Sequence, residues 1–291
     1  MNKILNLKDR IGFMQGRLCD QVDGKIQAFP WNEWEKEFSE SLNLDFRLME
    51  WTLDQNKLYE NPIMTNEGRK KILQLCDKCN LSIPSLTGDC FMQDPFWKAE
   101  ASHSKKLKDD FVEICNSCAA IGIRMLVIPL VDNGRINNDR QKVEILEFLL
   151  SKKNFLRELN LQVIFESDQS PRKLKEFISE LPLNTFGINY DIGNSAALDF
   201  NPLEEFKEYG DSIVNVHVKD RLKHGTTVPL ETGNAKFEIV FSELAKLGYE
   251  GNYILQTARA NDGNHSALLK NYKQLVYNWI NPPRKFVNLW S

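Results

Sequence analysis

Four polar side chains able to hold a cation each close an apolar run of strand length in the second half of the chain. Glu166 ends Leu161-Gln162-Val163-Ile164-Phe165, Asp191 ends the run from Phe186, His217 follows Val214-Asn215-Val216, and Gln256 follows Tyr253-Ile254-Leu255. Successive members lie roughly 25 to 40 residues apart, the length of one strand, one helix and their loops. Two carboxylates, one imidazole and one amide carbonyl make a mixed oxygen and nitrogen donor set. It suits one divalent ion (Mn, Co, Mg or Zn), with no thiolate to single out zinc. Taken singly, each residue has a duller reading, because carboxylates cap helix N-termini and a lone His at a strand end is commonly a hydrogen-bonded core residue. Capping does not explain an ordered recurrence at four neighbouring strand ends. A metal site at the C-terminal mouth of a parallel barrel does.

The elements that must position these residues follow from periodicity. Apolar runs alternate with longer segments that carry apolar residues three and four apart, which predicts repeated β-α units and a parallel sheet. Eight strands can be drawn: Ile11 to Gln15, Phe46 to Trp51, Ser82 to Gly88, Met125 to Leu130, Gln162 to Glu166, Phe186 to Asp191, Ile213 to Lys219 and Tyr253 to Gln256. Helices are predicted over Trp34 to Leu42, Glu67 to Cys79, Lys105 to Ile121 and Phe237 to Leu247, with Asn80, Gly122 and Gly248 placed as left-handed caps. The expected fold is α/β, a (β/α)8 TIM barrel in one domain over residues 1–291, with a tail at 280–291. Pro282 and Pro283 should stop the last helix. Phe286, Val287, Leu289 and Trp290 are too apolar for a free end, and are expected to pack on the barrel or to form a contact in a homo-oligomer.

Composition narrows the partners. A net charge of -3 gives no general attraction to nucleic acid, and no window reaches the ~18 apolar residues of a membrane span. The amino-terminal residues lack the apolar core of a secretory signal, so a cytoplasmic protein acting on a small molecule is expected. Cys76 with Cys79 and Cys115 with Cys118 have C-x-x-C spacing, but both pairs fall in helical patterns, where Cys behaves as a small buried hydrophobe.

The sequence resembles the xylose isomerase-like TIM barrels, a family of sugar and sugar-phosphate isomerases and epimerases with an endonuclease branch. The resemblance rests on Ile11-Gly12-Phe13-Met14-Gln15-Gly16-Arg17-Leu18, Tyr190-Asp191-Ile192-Gly193-Asn194, Val216-His217-Val218-Lys219-Asp220 and Val228-Pro229. Within the family it is most similar to the hexulose-6-phosphate and L-ribulose-5-phosphate 3-epimerase type. The resemblance implies metal ligation by Glu166, Asp191, His217 and Gln256, and proton abstraction next to a carbonyl with Glu166 as base. Gln256 departs from the family, whose epimerases hold a Glu there and use two glutamates to work on both faces of a carbon. An amide carries no useful proton. Glu50, Asp89, Lys219 and Asp220 are the candidates for a second proton-carrying group, and Lys219 and Asp220 could also pair with each other or orient His217.

Arg17, Asn194, Arg221 and Arg259 are further candidate substrate contacts, with Glu50 and Asp89, and Arg suits bidentate recognition of phosphate. The segment holding Arg221, Lys223, His224, Thr226, Thr227, Gly233, Asn234 and Lys236 could take a phosphate or be a solvated basic loop. Trp31, Trp51, Phe91, Phe96 and Trp97 could stack on a sugar ring or close the barrel mouth. The expected function is thus a metal-dependent sugar or sugar-phosphate isomerase or epimerase. Alternatives are a barrel that binds a sugar or keto-acid without turning it over, and an inosose-type dehydratase or isomerase. The endonuclease branch uses a cluster of zinc ions and many histidines, whereas this chain has four.

Overall fold

A computed structural model describes residues 7–282. Eight parallel strands form a closed barrel: β1 (Ile11–Met14), β2 (Met49–Thr52), β3 (Ser85–Thr87), β4 (Met125–Leu130), β5 (Gln162–Ser167), β6 (Phe186–Asp191), β7 (Ile213–Val218) and β8 (Asn252–Leu255). Each pairs with its sequence neighbours, and β1 pairs with β8 to close the ring. The strands are buried on both faces, which is why they read as near-continuous apolar runs. β3 is shorter than its apolar run because Pro84 offers no N–H to the ladder. Only a single bridge, Leu48 with Ser82, continues it backwards.

The outer ring contains α1 (Trp34–Asn43), α2 (Asn66–Cys79), α3 (Asp89–Gln93), α4 (Ala101–Ala120), α5 (Asp139–Glu158), α6 (Pro171–Ile178), α7 (Ile192–Ala197), α8 (Pro202–Tyr209), α9 (Phe237–Lys246) and α10 (His265–Ile280). Side-chain oxygens of Thr65, Asn138 and Asn264 accept from backbone N–H groups in the first turns of α2, α5 and α10. Asn80, Gly122 and Gly248 are left-handed past their helices, as their positions predicted.

Five aromatic side chains offered as sugar-stacking groups have other duties. Trp51, Phe91, Phe96 and Trp97 are buried in the apolar layer between barrel and helices, and half-buried Trp31 stands edge-on to Phe29. Cys115 and Cys118 belong to the same layer, and burial pushes both thiols well above their ordinary pKa. No described helix is long and apolar enough to cross a membrane. The tail positions Pro283, Phe286, Val287, Leu289 and Trp290 lie outside the described residues.

Candidate metal centre and active-site cavity

Side chains alternate across a strand, so residues two apart share a face. At the C-terminal end of β5, β6 and β7 this rule turns Glu166, Asp191 and His217 inward. One ligand atom from each lies within 4.8 Å of the others, and all three are buried. Such a triad could hold a metal ion. His217 Nδ1 lies 3.1 Å from Glu166 Oε2 and 4.0 Å from Asp191 Oδ2. Asp191 does two jobs: Oδ1 accepts the Asn194 N–H at 2.8 Å and caps α7, while Oδ2 faces the site. The helix-capping role read for this residue is thus present, and its second oxygen remains with the triad.

Charge is distributed unevenly over the cluster. Burial works to raise the Glu166 pKa, but the hydrogen bond from His217 and the nearby Lys219 ammonium overcome it and keep the carboxylate ionised. Burial, opposed by Lys219 and reinforced by Glu166, raises Asp191 instead. Of the two carboxyls, Asp191 is the easier to protonate.

Beneath the triad lies a polar floor. His217 Nε2 is 2.7 Å from Glu50 Oε1, and Glu50 also accepts from Ser85 Oγ at 2.5 Å, Thr87 Oγ1 at 2.6 Å and Asn215 Nδ2 at 3.1 Å. Asn215 donates on to Asn189 Oδ1, and Asn189 Nδ2 donates to Glu166 Oε2. Glu50 is wholly buried, does not line the cavity described below and is engaged in these bonds. It orients the imidazole, fixing Nε2 and leaving Nδ1 for a cation. Sequence reasoning missed Asn189 and Asn215, although each sits two residues before a triad residue on the same strand face. Changing Glu50 to Gln is expected to weaken Mn2+ binding, measured by titration calorimetry, by about 10–100-fold while the protein stays folded.

Lys219 continues the inward face of β7 two residues past His217. Its Nζ lies 2.6 Å from Asp191 Oδ2 and 2.9 Å from Gln256 Oε1. The ammonium thus draws Gln256 toward the triad, and a cation ligated by Gln256 would compete with it for the same oxygens. The glycine of Asp191-Ile192-Gly193-Asn194 makes room for it: a Cβ at Gly193 would stand 2.7 Å from Lys219 Cγ and 3.0 Å from its Cβ. Gly193→Ala should destabilise the fold by about 1–3 kcal/mol in urea denaturation. Adding the change to a Lys219→Ala background should do so less, since Cγ, the atom it approaches most closely, is gone while Cβ remains.

A cavity of about 400 Å³ opens beside the triad at Glu166, the size that admits a small substrate. Arg17, Asp89, Glu166, Asn194, Lys219 and Arg221 all line it, together with Gln256. Arg17 is buried, and donates to Gln27 Oε1 at 2.6 Å and to the Ile26 carbonyl at 3.2 Å. Asn194 Nδ2 donates to Glu166 Oε1 at 2.5 Å, and its Oδ1 accepts from Arg221 at 2.8 Å. His224, Thr226 and Thr227 of the basic segment reach the cavity, whereas exposed Lys223 pairs with Asp199.

Two candidates are placed elsewhere. Asp220 points away from the cavity, its carboxylate accepting from the N–H groups of Gly233 and Ala235 at 2.8 and 3.0 Å and pinning that loop. Adjacent strand residues face opposite ways, so a neighbour of inward Lys219 must turn outward. Arg259 does not line this cavity. It donates to the carbonyls of Gly16, Cys19 and Ile26 at 2.8 to 2.9 Å, holding the loop after β1. Glu37 grips the same loop through the Gly16 and Leu18 N–H groups, and Gly16 takes the left-handed conformation that lets the chain turn there.

Residues 38–275 match the family described as xylose isomerase-like TIM barrel, a stretch that spans β2 to β8 and every triad residue. The chain belongs to this family. No curated protein matches it in sequence. Among solved structures, an L-ribulose 3-epimerase superposes with a TM-score of 0.71 at 12% identity, covering 93% of this chain and 94% of that one. A sugar phosphate isomerase/epimerase from Parabacteroides distasonis ATCC 8503 gives 0.69 at 13%, covering 94% of both chains. A xylose isomerase domain protein from Planctomyces limnophilus gives 0.69 at 16%, covering 83% and 90%. At such identities the likeness is one of fold.

Proposed function

We propose that this xylose isomerase-like barrel is a metal-dependent isomerase or epimerase of sugars or sugar phosphates. The observation that carries the reading is the buried meeting of Glu166, Asp191 and His217, of which Glu166 lines a substrate-sized cavity, with Glu50 locking the imidazole from behind. No Ser or Cys stands among the described residues that line the cavity, so a serine or cysteine nucleophile is not placed there. These residues suit a carbon acid.

The donor set fits a divalent cation: two carboxylates and one imidazole nitrogen, all buried and convergent, with the Gln256 amide oxygen next to them through Lys219. Glu166, Asp191 and His217 would hold the ion, with Gln256 as the fourth ligand, and it would act as a Lewis acid toward the carbonyl and neighbouring hydroxyl of a ketose. The rest falls to the side chains. Glu166 Oε1, steadied by Asn194, takes the proton from the carbon next to the carbonyl, and the electron pair moves onto the carbonyl oxygen to give an enediolate. Returning that proton to the adjacent carbon isomerises the sugar. Delivering one to the opposite face of the same carbon epimerises it.

Arg17 and Arg221 line the cavity and form no ion pair among the described residues, which supports an anionic substituent such as a phosphate. A second reading is favoured by one feature. Lys219 bridging Asp191 and Gln256 would, if it kept that place, make a barrel that binds a sugar without turning it over.

Solvent exchange decides between them. Mn2+-loaded protein is incubated in D2O with L-ribulose, D-fructose and D-fructose 6-phosphate, and the recovered sugars are examined for deuterium on carbon. Label next to the carbonyl is the expected result. Tight binding of a ketose with no exchange from any of them would leave the non-catalytic reading standing.

A further inference from the structure

With Gln256 unable to carry a proton, any reaction that uses both faces of the substrate carbon needs an acid from elsewhere in the chain. Glu50 and Asp220 are sealed into protein hydrogen bonds away from the cavity, and Lys219 Nζ lies against Asp191 and Gln256, on the side of the ligands themselves. Among the described residues four carboxyls line the cavity: Asp89, Asp132, Glu166 and Asp168. Asp132 is exposed at the rim, and Asp168 is paired with Arg135 at 2.6 Å. Asp89 alone remains. It is 6% exposed, and its Oδ2 is buried without a hydrogen-bond partner among the described residues.

The chain delivers Asp89 there by a tight turn. β3 ends at Thr87, Gly88 follows, and Asp89 opens α3 at once. A Cβ on Gly88 would lie 2.6 Å from the Phe91 ring, so glycine is what allows strand and helix to meet this closely. Asp89 therefore comes to the mouth from the third strand, while Glu166 comes from the fifth, with β4 between them.

We propose that Asp89 is the second proton carrier, serving the face of the substrate carbon that Glu166 does not reach. The assignment rests on the function proposed above and extends it to inversion of a stereocentre. Glu166 breaks the C–H bond and becomes protonated while the electron pair passes to the carbonyl oxygen. Asp89, present as the carboxylic acid, donates its proton as that pair returns to form the new C–H bond, and is left as carboxylate. Exchange with water resets both groups. Burial, with Asp54 and Glu166 nearby, pushes the Asp89 carboxyl well above the usual carboxylate range, which agrees with a group that is protonated at neutral pH.

The test separates two rates in Mn2+-loaded protein supplied with the panel ketose that exchanges: deuterium entering the recovered substrate, and appearance of its epimer. Asp89→Asn, nearly isosteric, should keep substrate exchange within about threefold of wild type and lose epimer formation by roughly 100-fold or more. Asp89→Glu should restore part of the inversion. Inversion at the wild-type rate by Asp89→Asn, or an equal fall in both rates, would overturn the assignment, as would wild type that yields only the aldose. Wild type that exchanges no label defeats the proposed function itself, and this assignment with it. Because exchange reports a folded, substrate-bound enzyme, it also serves as the control for misfolding.

Discussion

Replacing His217 with alanine is expected to remove measurable Mn2+ binding, weakening it by more than ~100-fold, and to destabilise the protein by about 3–5 kcal/mol. Two charges account for the second effect. The imidazole stands between Glu50 at 2.7 Å and Glu166 at 3.1 Å, all of them buried, and without it two carboxylates face each other at the barrel axis. Calorimetric titration and urea denaturation of the metal-free protein measure the two effects separately. If His217→Ala binds Mn2+ as tightly as wild type, the cation sits elsewhere.

The same residue sets a pH dependence. Burial alone would lower the His217 pKa, but the Glu50 charge and the hydrogen bonds to Glu166 and Glu50 raise it to about 10. A folded-state value above the unfolded one stabilises metal-free protein in full below the unfolded pKa, and that contribution is lost as pH rises through about 10. A cation must displace this proton, so its apparent affinity should rise with pH by up to about tenfold per unit below that point. Mn2+ titrations at two pH values, in buffers of different ionisation enthalpy, would count the proton released.

Glu166→Gln carries the second large effect. The substitution keeps the shape and much of the hydrogen bonding to Asn194 and Asn189 but removes the base, so deuterium exchange should fall by roughly 10²–10⁴-fold. Ketose binding in the same variant should change far less, because Arg17 and Arg221 lie on other strands' loops. Exchange that persists at the wild-type rate would assign the base to another residue.

How much of this was legible in the sequence follows from what each signal encodes. β4 and β6 were read to the residue, since each is a continuous buried run ended by a polar side chain or a turn. The triad was legible for the same reason: a strand's last inward residue is the one that reaches the mouth. Facing was the weak point. Lys219 and Asp220 are adjacent and looked equally able to act, yet the period of the strand sends one into the cavity and the other to the Gly233 loop. Glu50 was recognised as a strand-end carboxylate, but nothing local tells a rim residue from one that lies under a histidine 167 positions later. Arg259 has the chemistry of a phosphate ligand, and only the path of the loop after β1 reveals three carbonyls waiting for it. Aromatic residues near strand ends were ambiguous in the same way, because barrel wall and barrel mouth draw on the same side chains.

The central claim is that one cation is held by β5, β6, β7 and the residue that follows β8. Crystals soaked in MnCl2 and measured at the manganese absorption edge test it directly. A single anomalous peak bounded by Glu166, Asp191 and His217 Nδ1, with the Gln256 oxygen turned to it and the Lys219 ammonium moved aside, is the predicted result. No peak at saturating Mn2+, with Lys219 still joined to Asp191 and Gln256, would contradict the account.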